Sequence, residues 1–184
     1  HHDLTYSDKP HTTFLKAVPE AEEISLIFTA ATKTFNIAGC HTGTTIIPNP
    51  KLRSIYDREH AAFGKTPNRF GMIMTEAAYS GGQEWLNQLM HYLEKNKSLF
   101  TNALKSLNKV KVFDLESTYL AWVDFSQLDI TELELKDMLI KEAGVAPSFG
   151  SGFGKNSGKF ARFNLACRTE ILDLAINRLT KTFL

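Results

Sequence analysis

A lysine, Lys33, follows the first apolar run of this sequence, which spans residues 25–32. The run is short, contains no glycine or proline and follows an acidic stretch, which predicts a buried strand of a parallel sheet covered on both faces. A lysine at the carboxyl end of such a strand lies where α/β proteins bind ligands. If desolvation there removes its proton, the neutral amine can form a Schiff base. The alternative is a lysine whose stem lies along the strand and whose charged end reaches water.

An arginine, Arg162, interrupts a second apolar segment, 159–166, which has the composition of a strand. Because side chains alternate between the two faces of a strand, Ala161 and Phe163 are expected on the face opposite to Arg162. A guanidinium buried there needs an anionic partner, and a carboxylate is its natural bidentate match. A structural ion pair, or an arginine on an edge strand, is the alternative interpretation.

The glycine-rich segment 150–158 directly precedes that strand. It has the composition of a phosphate-binding loop, but it lacks the Gly-Lys-Ser/Thr ending and leads into a strand rather than a helix. We therefore interpret it as a flexible, lid-like loop beside Arg162.

Composition excludes several classes of protein. The 184 residues are 43% hydrophobic and carry 21 basic and 20 acidic side chains, a net charge of +1, which is typical of a globular protein and argues against nucleic-acid binding. No apolar run approaches the roughly 18 residues of a membrane span. The six histidines are scattered and Cys40 and Cys167 stand alone, so we predict no metal site and two reduced thiols in a cytoplasmic protein.

The remaining pattern predicts a chain of two halves joined by a long helix. Asn49 and Pro50 start a helix that ends near Phe63, and a longer helical region begins at Thr75 with an interruption at Gly81 and Gly82. The other predicted elements are strands at 43–47, 110–113 and 118–125, a helix from Thr131 to Ala143 that Gly144 ends, and a final helix capped by Thr169. We expect domains at 1–84 and 98–184, linked by residues 85–97.

Several motifs together carry a family resemblance. Residues 31–39 resemble the cofactor-lysine motif of class I/II aminotransferase-fold enzymes that use pyridoxal 5'-phosphate. The stretches 77–82, 84–86, 117–122 and 163–167 resemble one branch of those enzymes, the C–S lyases of the cystathionine β-lyase type. The similarity keeps its order over essentially the whole chain.

The resemblance implies an α/β fold, namely the C-terminal part of a PLP-dependent transferase-like (aspartate aminotransferase-like) fold. It comprises the end of the large α/β domain and a small α+β C-terminal domain. The resemblance also implies that Lys33 is the catalytic residue that binds pyridoxal 5'-phosphate, that the Thr32 hydroxyl donates to the cofactor phosphate, and that Arg162 binds the substrate α-carboxylate. His41 stands where many aminotransferases carry a phosphate-binding arginine, which leaves its role open.

The implied activity is β-elimination at a C–S bond of an amino-acid substrate, with transamination as the alternative. Family members are about twice as long as this chain, which matches only their C-terminal half. The resemblance therefore also implies a fragment that is inactive alone, and a non-catalytic or regulatory module is an alternative of another class. The implied assembly is a homodimer, in the cytoplasm, without nucleic-acid or membrane partners.

Overall fold

The computed structural model describes residues 1–6, 10–64 and 66–184, which form two compact units. The N-terminal unit contains the described residues of 1–3 and 8–88, and the C-terminal unit contains those of 4–7 and 89–184. The division falls inside one long helix, α4 (Gln83–Lys105). The domain limits expected from the sequence remain a prediction.

The N-terminal unit consists of short strands and three helices. Its elements are α1 (Phe14–Ala17), a 3₁₀-helix (Pro19–Glu23), β1 (Ile27–Thr29), a second 3₁₀-helix (Ala38–Cys40), β2 (Thr44–Ile46), α2 (Pro50–Ala62) and α3 (Arg69–Gly81). The predicted start of α2 is confirmed, because the Asn49 side chain accepts hydrogen bonds from the backbone N–H groups of Lys51 and Leu52, at 2.8 and 3.3 Å. α3 begins before the predicted Thr75, because Asn68 caps it.

The predicted strand at 25–32 is wrong in length and in environment. Only residues 27–29 are extended, and β1 pairs antiparallel with β2 through Ile27 and Ile46. The Phe28 side chain is 68% exposed. An apolar run indicates that burial of its side chains is favourable, but it does not specify the element that covers the outer face of the strand. No element among the described residues buries Phe28.

The C-terminal unit is a four-stranded antiparallel sheet with helices packed on it. Its elements after α4 are β3 (Lys111–Val112), β4 (Leu120–Asp124), α5 (Glu132–Asp137), a π-helix (Met138–Glu142), β5 (Ser148–Phe149), a 3₁₀-helix (Gly150–Gly152), β6 (Phe160–Asn164) and α6 (Thr169–Phe183). The strand order is β3-β4-β6-β5. The sequence did not predict β5, which is only two residues long.

The core of the C-terminal unit lies on one face of this sheet. Ala121, Val123, Ala161 and Phe163 alternate inward along β4 and β6, where they are buried. Apolar side chains of α4, α5 and α6 complete the cluster: Phe100, Leu104, Leu135, Leu172 and Leu179. The opposite face of the sheet is therefore left free to carry polar and aromatic side chains.

Of the two helix caps predicted for this unit, one is present and the other is not. Thr131 caps α5 in a capping box with Glu134, as the sequence predicts. Thr169 does not cap α6, because Arg168 occupies the cap position. The Thr169 side chain instead contacts Tyr92 and Asn96 of α4, so a tertiary contact replaces the local cap.

Asn96 connects α4 to the chain that follows β6. Its side chain is fully buried, and its Nδ2 donates to the carbonyl oxygens of Leu165 and Cys167 at 2.9 Å each. Its Oδ1 accepts a hydrogen bond from the Thr169 hydroxyl at 2.9 Å. One amide group therefore satisfies three buried or partly buried groups between β6 and α6.

Replacing Asn96 with leucine is expected to destabilise the protein by about 2–4 kcal/mol, because it leaves these carbonyls and the hydroxyl without partners. Urea unfolding followed by circular dichroism measures the change. Asn102→Leu, on an exposed position of the same helix, serves as the matched control. Equal unfolding midpoints for the two variants would contradict the role assigned to Asn96.

Among the helices of the described ranges, none is both long enough and apolar enough to cross a bilayer.

Candidate functional site

Lys33 lies on a run of turns, residues 31–36, that directly follows β1. The turns are closed by backbone hydrogen bonds from Phe35 N–H to the Ala31 carbonyl and from Ile37 N–H to the Thr32 carbonyl, at 3.0 and 2.9 Å. The Lys33 side chain is exposed, and no carboxylate of the described residues forms an ion pair with it. The end of the Lys33 side chain is therefore accessible, and the described residues do not supply the desolvation expected from the sequence.

The two residues after Lys33 anchor its turn to the N-terminal unit. Thr34 is fully buried, and its hydroxyl donates to Asp3 Oδ2 at 2.7 Å. Phe35 contacts the rings of Tyr79 and Trp85, with centroids 6.0 and 5.9 Å away. These inward contacts fix the backbone on which Lys33 is presented. The sequence did not predict that Asp3 holds this turn in place, because Asp3 lies far from Lys33 along the chain.

A glycine makes room for Phe35 at the junction between α3 and α4. A Cβ atom at Gly82 would lie 2.4 Å from the Phe35 ring and 2.4 Å from the Ala78 carbonyl oxygen. Any side chain at this position would displace Phe35 or break the end of α3. The interruption predicted at Gly81 and Gly82 thus has a structural role in supporting the lysine turn.

A cavity of about 560 Å³ lies in the same unit against the β1–β2 pair. Its polar lining includes His2, His11 and Tyr79, but Thr32 and Lys33 are not among its lining residues. Burial raises the pKa of the Tyr79 hydroxyl; the negative charge of Asp3 adds to this, while a hydrogen bond with Thr29 opposes it. Tyr79 therefore remains a neutral hydrogen-bonding group at physiological pH.

Thr32 and His41 flank the lysine turn along the chain. Thr32 is half-buried and directly precedes Lys33. His41 is exposed and has a left-handed backbone conformation, with φ at 46°, immediately after the 3₁₀-helix at Ala38–Cys40. Their proposed roles toward a cofactor remain predictions.

Arg162 lies in the middle of β6, in the C-terminal unit, with Trp122 of β4 and Ser148 of β5 as its register partners. Ala161 and Phe163 are buried on the opposite face, which confirms the alternation expected from the sequence. The Arg162 Nη2 donates to the Ser148 hydroxyl at 3.4 Å, a long hydrogen bond. The Arg162 Nε is buried and has no hydrogen-bond partner.

This arrangement agrees neither with an arginine on an edge strand nor with a structural ion pair. β6 lies between β4 and β5, so Arg162 is not on an edge strand. Within the described part of the chain, no carboxylate lies within ion-pair distance of its guanidinium. The guanidinium therefore has no carboxylate partner among the described residues, and a carboxylate is the group that it would match in a bidentate pair.

Three aromatic rings in contact with one another lie on the strands and loop next to Arg162. Trp122 stacks on Phe160, with a centroid distance of 5.6 Å and an interplanar angle of 17°. Phe153 meets Trp122 edge to face at 5.5 Å, and its ring lies 4.6 Å from the Arg162 Cζ. We call Trp122, Phe153 and Phe160 the aromatic cluster. The alternation of β4 and β6 could have placed Trp122 and Phe160 on one face, but nothing local in the sequence places Phe153.

The glycine-rich segment before β6 is packed at its beginning. Gly150 is buried, and a Cβ atom there would lie 1.9 Å from the Ser157 carbonyl oxygen and 2.8 Å from that of Phe160. Gly150 therefore allows two backbone segments to approach each other closely. The expected flexibility of this loop remains a prediction.

Comparison with known proteins places the chain beside PLP-dependent enzymes. No family model matches it. The chain is 33% identical over 181 residues to the cystathionine β-lyase PatB of Bacillus subtilis, covering 97% of this chain and 47% of PatB. The crystal structure of cystalysin from Treponema denticola, which contains pyridoxal 5'-phosphate, superposes with a TM-score of 0.92 at 28% identity, over 99% of this chain and 47% of cystalysin.

An aminotransferase is also among the relatives. The chain is 25% identical over 182 residues to the LL-diaminopimelate aminotransferase of Aquifex aeolicus, covering 95% of this chain and 44% of that enzyme. The similarity again extends over nearly all of the chain and less than half of the relative.

The fold is therefore that of the PLP-dependent enzymes of the aminotransferase class, as the sequence motifs predicted. Within that class, the chain is homologous to the C–S lyases of the cystathionine β-lyase type. It spans about half the length of the curated relatives that it matches.

Proposed function

We propose that this chain supplies the lysine and the arginine of a PLP-dependent C–S lyase acting on amino acids. The observation that carries the proposal is Arg162, whose buried and unpartnered Nε lies on a sheet face where no described carboxylate meets it. The homology to C–S lyases then suggests the class of ligand, because an amino acid carries the α-carboxylate that such a guanidinium binds.

The Lys33 amine fits the chemistry of pyridoxal phosphate. Its side chain is exposed on a fixed turn, so Lys33 is the residue that would hold the aldehyde group of the cofactor. The neighbouring Thr32 would donate a hydrogen bond to the phosphate. When bound, the cofactor acts as an electron sink for the negative charge that develops at the substrate Cα.

In the proposed reaction the residues of this chain bind the substrate and move a proton. Arg162 holds the α-carboxylate and so fixes the orientation of the bonds at Cα. The Lys33 amine removes the Cα proton as a general base. With sulfur on Cβ, a thiolate then leaves as the Cβ–S bond breaks. The remaining 2-aminoacrylate becomes an imine, which water hydrolyses to pyruvate and ammonia.

Transamination is the second candidate, which the similarity to the Aquifex aeolicus aminotransferase favours. The same proton removal by Lys33 opens both routes. In transamination, however, no group leaves Cβ, and the amino group passes to a 2-oxo acid acceptor.

Product analysis of the gene-encoded polypeptide, meaning the whole protein that the gene encodes, tests the proposal. With pyridoxal phosphate and L-cystathionine, we expect pyruvate, ammonia and a thiol in equal amounts without any 2-oxo acid acceptor. Amino-group transfer that requires 2-oxoglutarate and releases no thiol would establish the aminotransferase instead. Absence of both activities in a folded, cofactor-loaded protein would favour the non-catalytic module.

A further inference from the structure

Phe153 covers one side of the proposed carboxylate-binding group. The Arg162 Cζ lies 4.6 Å from the centre of the Phe153 ring, which is within cation–π distance. The ring also meets Trp122 edge to face. A phenyl ring carries no oxygen or nitrogen acceptor, so Phe153 covers the guanidinium without competing with an anionic ligand for its N–H groups.

The Phe153 side chain remains 52% exposed, which leaves much of its ring available to a ligand. The loop itself does not explain its position. A Cβ atom would meet nothing within 4 Å at Gly152, and at Gly154 it would only touch the Ser157 hydroxyl at 3.6 Å. Steric crowding therefore does not require glycine on either side of Phe153, and the Phe153 ring contacts Arg162 and Trp122.

Two charged side chains near the aromatic cluster have partners within the chain. Asp124, on the same strand as Trp122, accepts a hydrogen bond from the Ser126 N–H at 2.7 Å. Lys136, near the glycine-rich loop, is paired with Glu132. Lys155, two residues after Phe153, is exposed, and Phe153 itself is the residue that contacts the Arg162 guanidinium.

Building on the proposed function, we propose that Phe153 determines substrate specificity by contacting the side chain of the amino acid whose carboxylate Arg162 binds. An aromatic surface favours apolar and thioether side chains, and sulfur makes favourable contacts with aromatic rings at about 5 Å. A charged group in contact with the ring would lose hydration without gaining a partner. We therefore expect Phe153 to contact the thioether next to the substrate Cβ and to favour substrates whose sulfur carries an apolar group.

Ligand-observed NMR titration of the gene-encoded polypeptide, without added cofactor, tests this inference. L-methionine probes the carboxylate and the thioether together, and acetate probes the carboxylate alone. We expect Phe153→Leu to raise the Kd for L-methionine about three- to tenfold and to change that for acetate less than twofold. Phe153→Tyr should retain binding. Phe70→Leu, which removes an exposed ring of α3 in the N-terminal unit, is the matched control.

The outcomes separate this inference from the proposed function. If Arg162→Gln abolishes binding of both ligands while Phe153→Leu changes neither, or changes both equally, the role of Phe153 is overturned and the carboxylate site stands. If Arg162→Gln leaves both Kd values unchanged, or the unmodified protein binds neither ligand, the carboxylate site itself is wrong. A loss of L-methionine affinity in Phe70→Leu equal to that in Phe153→Leu also overturns the inference.

Discussion

Replacing Lys33 with alanine is expected to abolish covalent attachment of pyridoxal phosphate and to lower kcat by about a thousandfold or more. The variant loses both the amine that attaches the cofactor and the general base that removes the Cα proton. Stability should change little, because the Lys33 side chain is exposed and Thr34 and Phe35 anchor the turn. Thermal unfolding and steady-state kinetics of the gene-encoded polypeptide measure the two effects.

Lys51→Ala is the matched control, since Lys51 is also an exposed lysine of the N-terminal unit. It should retain full activity. A Lys33→Ala enzyme with near-normal kcat would contradict the assignment, whereas a Lys33→Ala protein that fails to fold would show that the turn depends on this side chain.

Arg162→Ala is expected to lower kcat/KM by about tenfold to a hundredfold. A charge-assisted bidentate contact contributes roughly 1.5–3 kcal/mol, and all of it is lost when the guanidinium is removed. Arg162→Lys should recover little, because an ammonium group cannot meet both carboxylate oxygens in one plane. The melting temperature should fall only slightly, since Arg162 has no ion-pair partner among the described residues and loses only a long hydrogen bond to Ser148 and the contact with Phe153.

Arg178→Ala controls for the loss of one positive charge, because Arg178 is an exposed arginine of the same unit. Kinetics and melting temperature should be measured on the same preparations. A lower melting temperature for Arg162→Ala with near-normal kcat/KM would identify Arg162 as a structural residue.

The local features of the site were predictable from the sequence, and the features built from distant residues were not. Period-two alternation placed Arg162 opposite Ala161 and Phe163, because side-chain direction along a strand is a local property. The Ser148 partner was missed, since a two-residue strand carries no pattern. The hydrogen bond from Thr34 to Asp3 spans 31 positions, and no local signal indicates it.

The elements of the fold show the same difference between local features, which were predictable, and contacts of distant residues, which were not. Asn49 and Thr131 start helices as predicted, because each cap is a hydrogen bond to the next few residues. Thr169 has the same cap-forming hydroxyl, yet it contacts Tyr92 and Asn96 of α4, because tertiary contacts can outweigh a local cap. The strand predicted at 25–32 failed for a related reason, since the sequence of the strand does not specify which element covers it.

Borohydride reduction tests the central claim, that Lys33 is the residue to which the cofactor attaches. The gene-encoded polypeptide is loaded with pyridoxal phosphate, reduced to make the attachment permanent, digested and analysed by peptide mass spectrometry. We predict that the cofactor mass appears on the peptide containing Lys33 and is absent from that peptide in unreduced or cofactor-free samples. Attachment mainly at another lysine, or no stable attachment at all, would contradict the account.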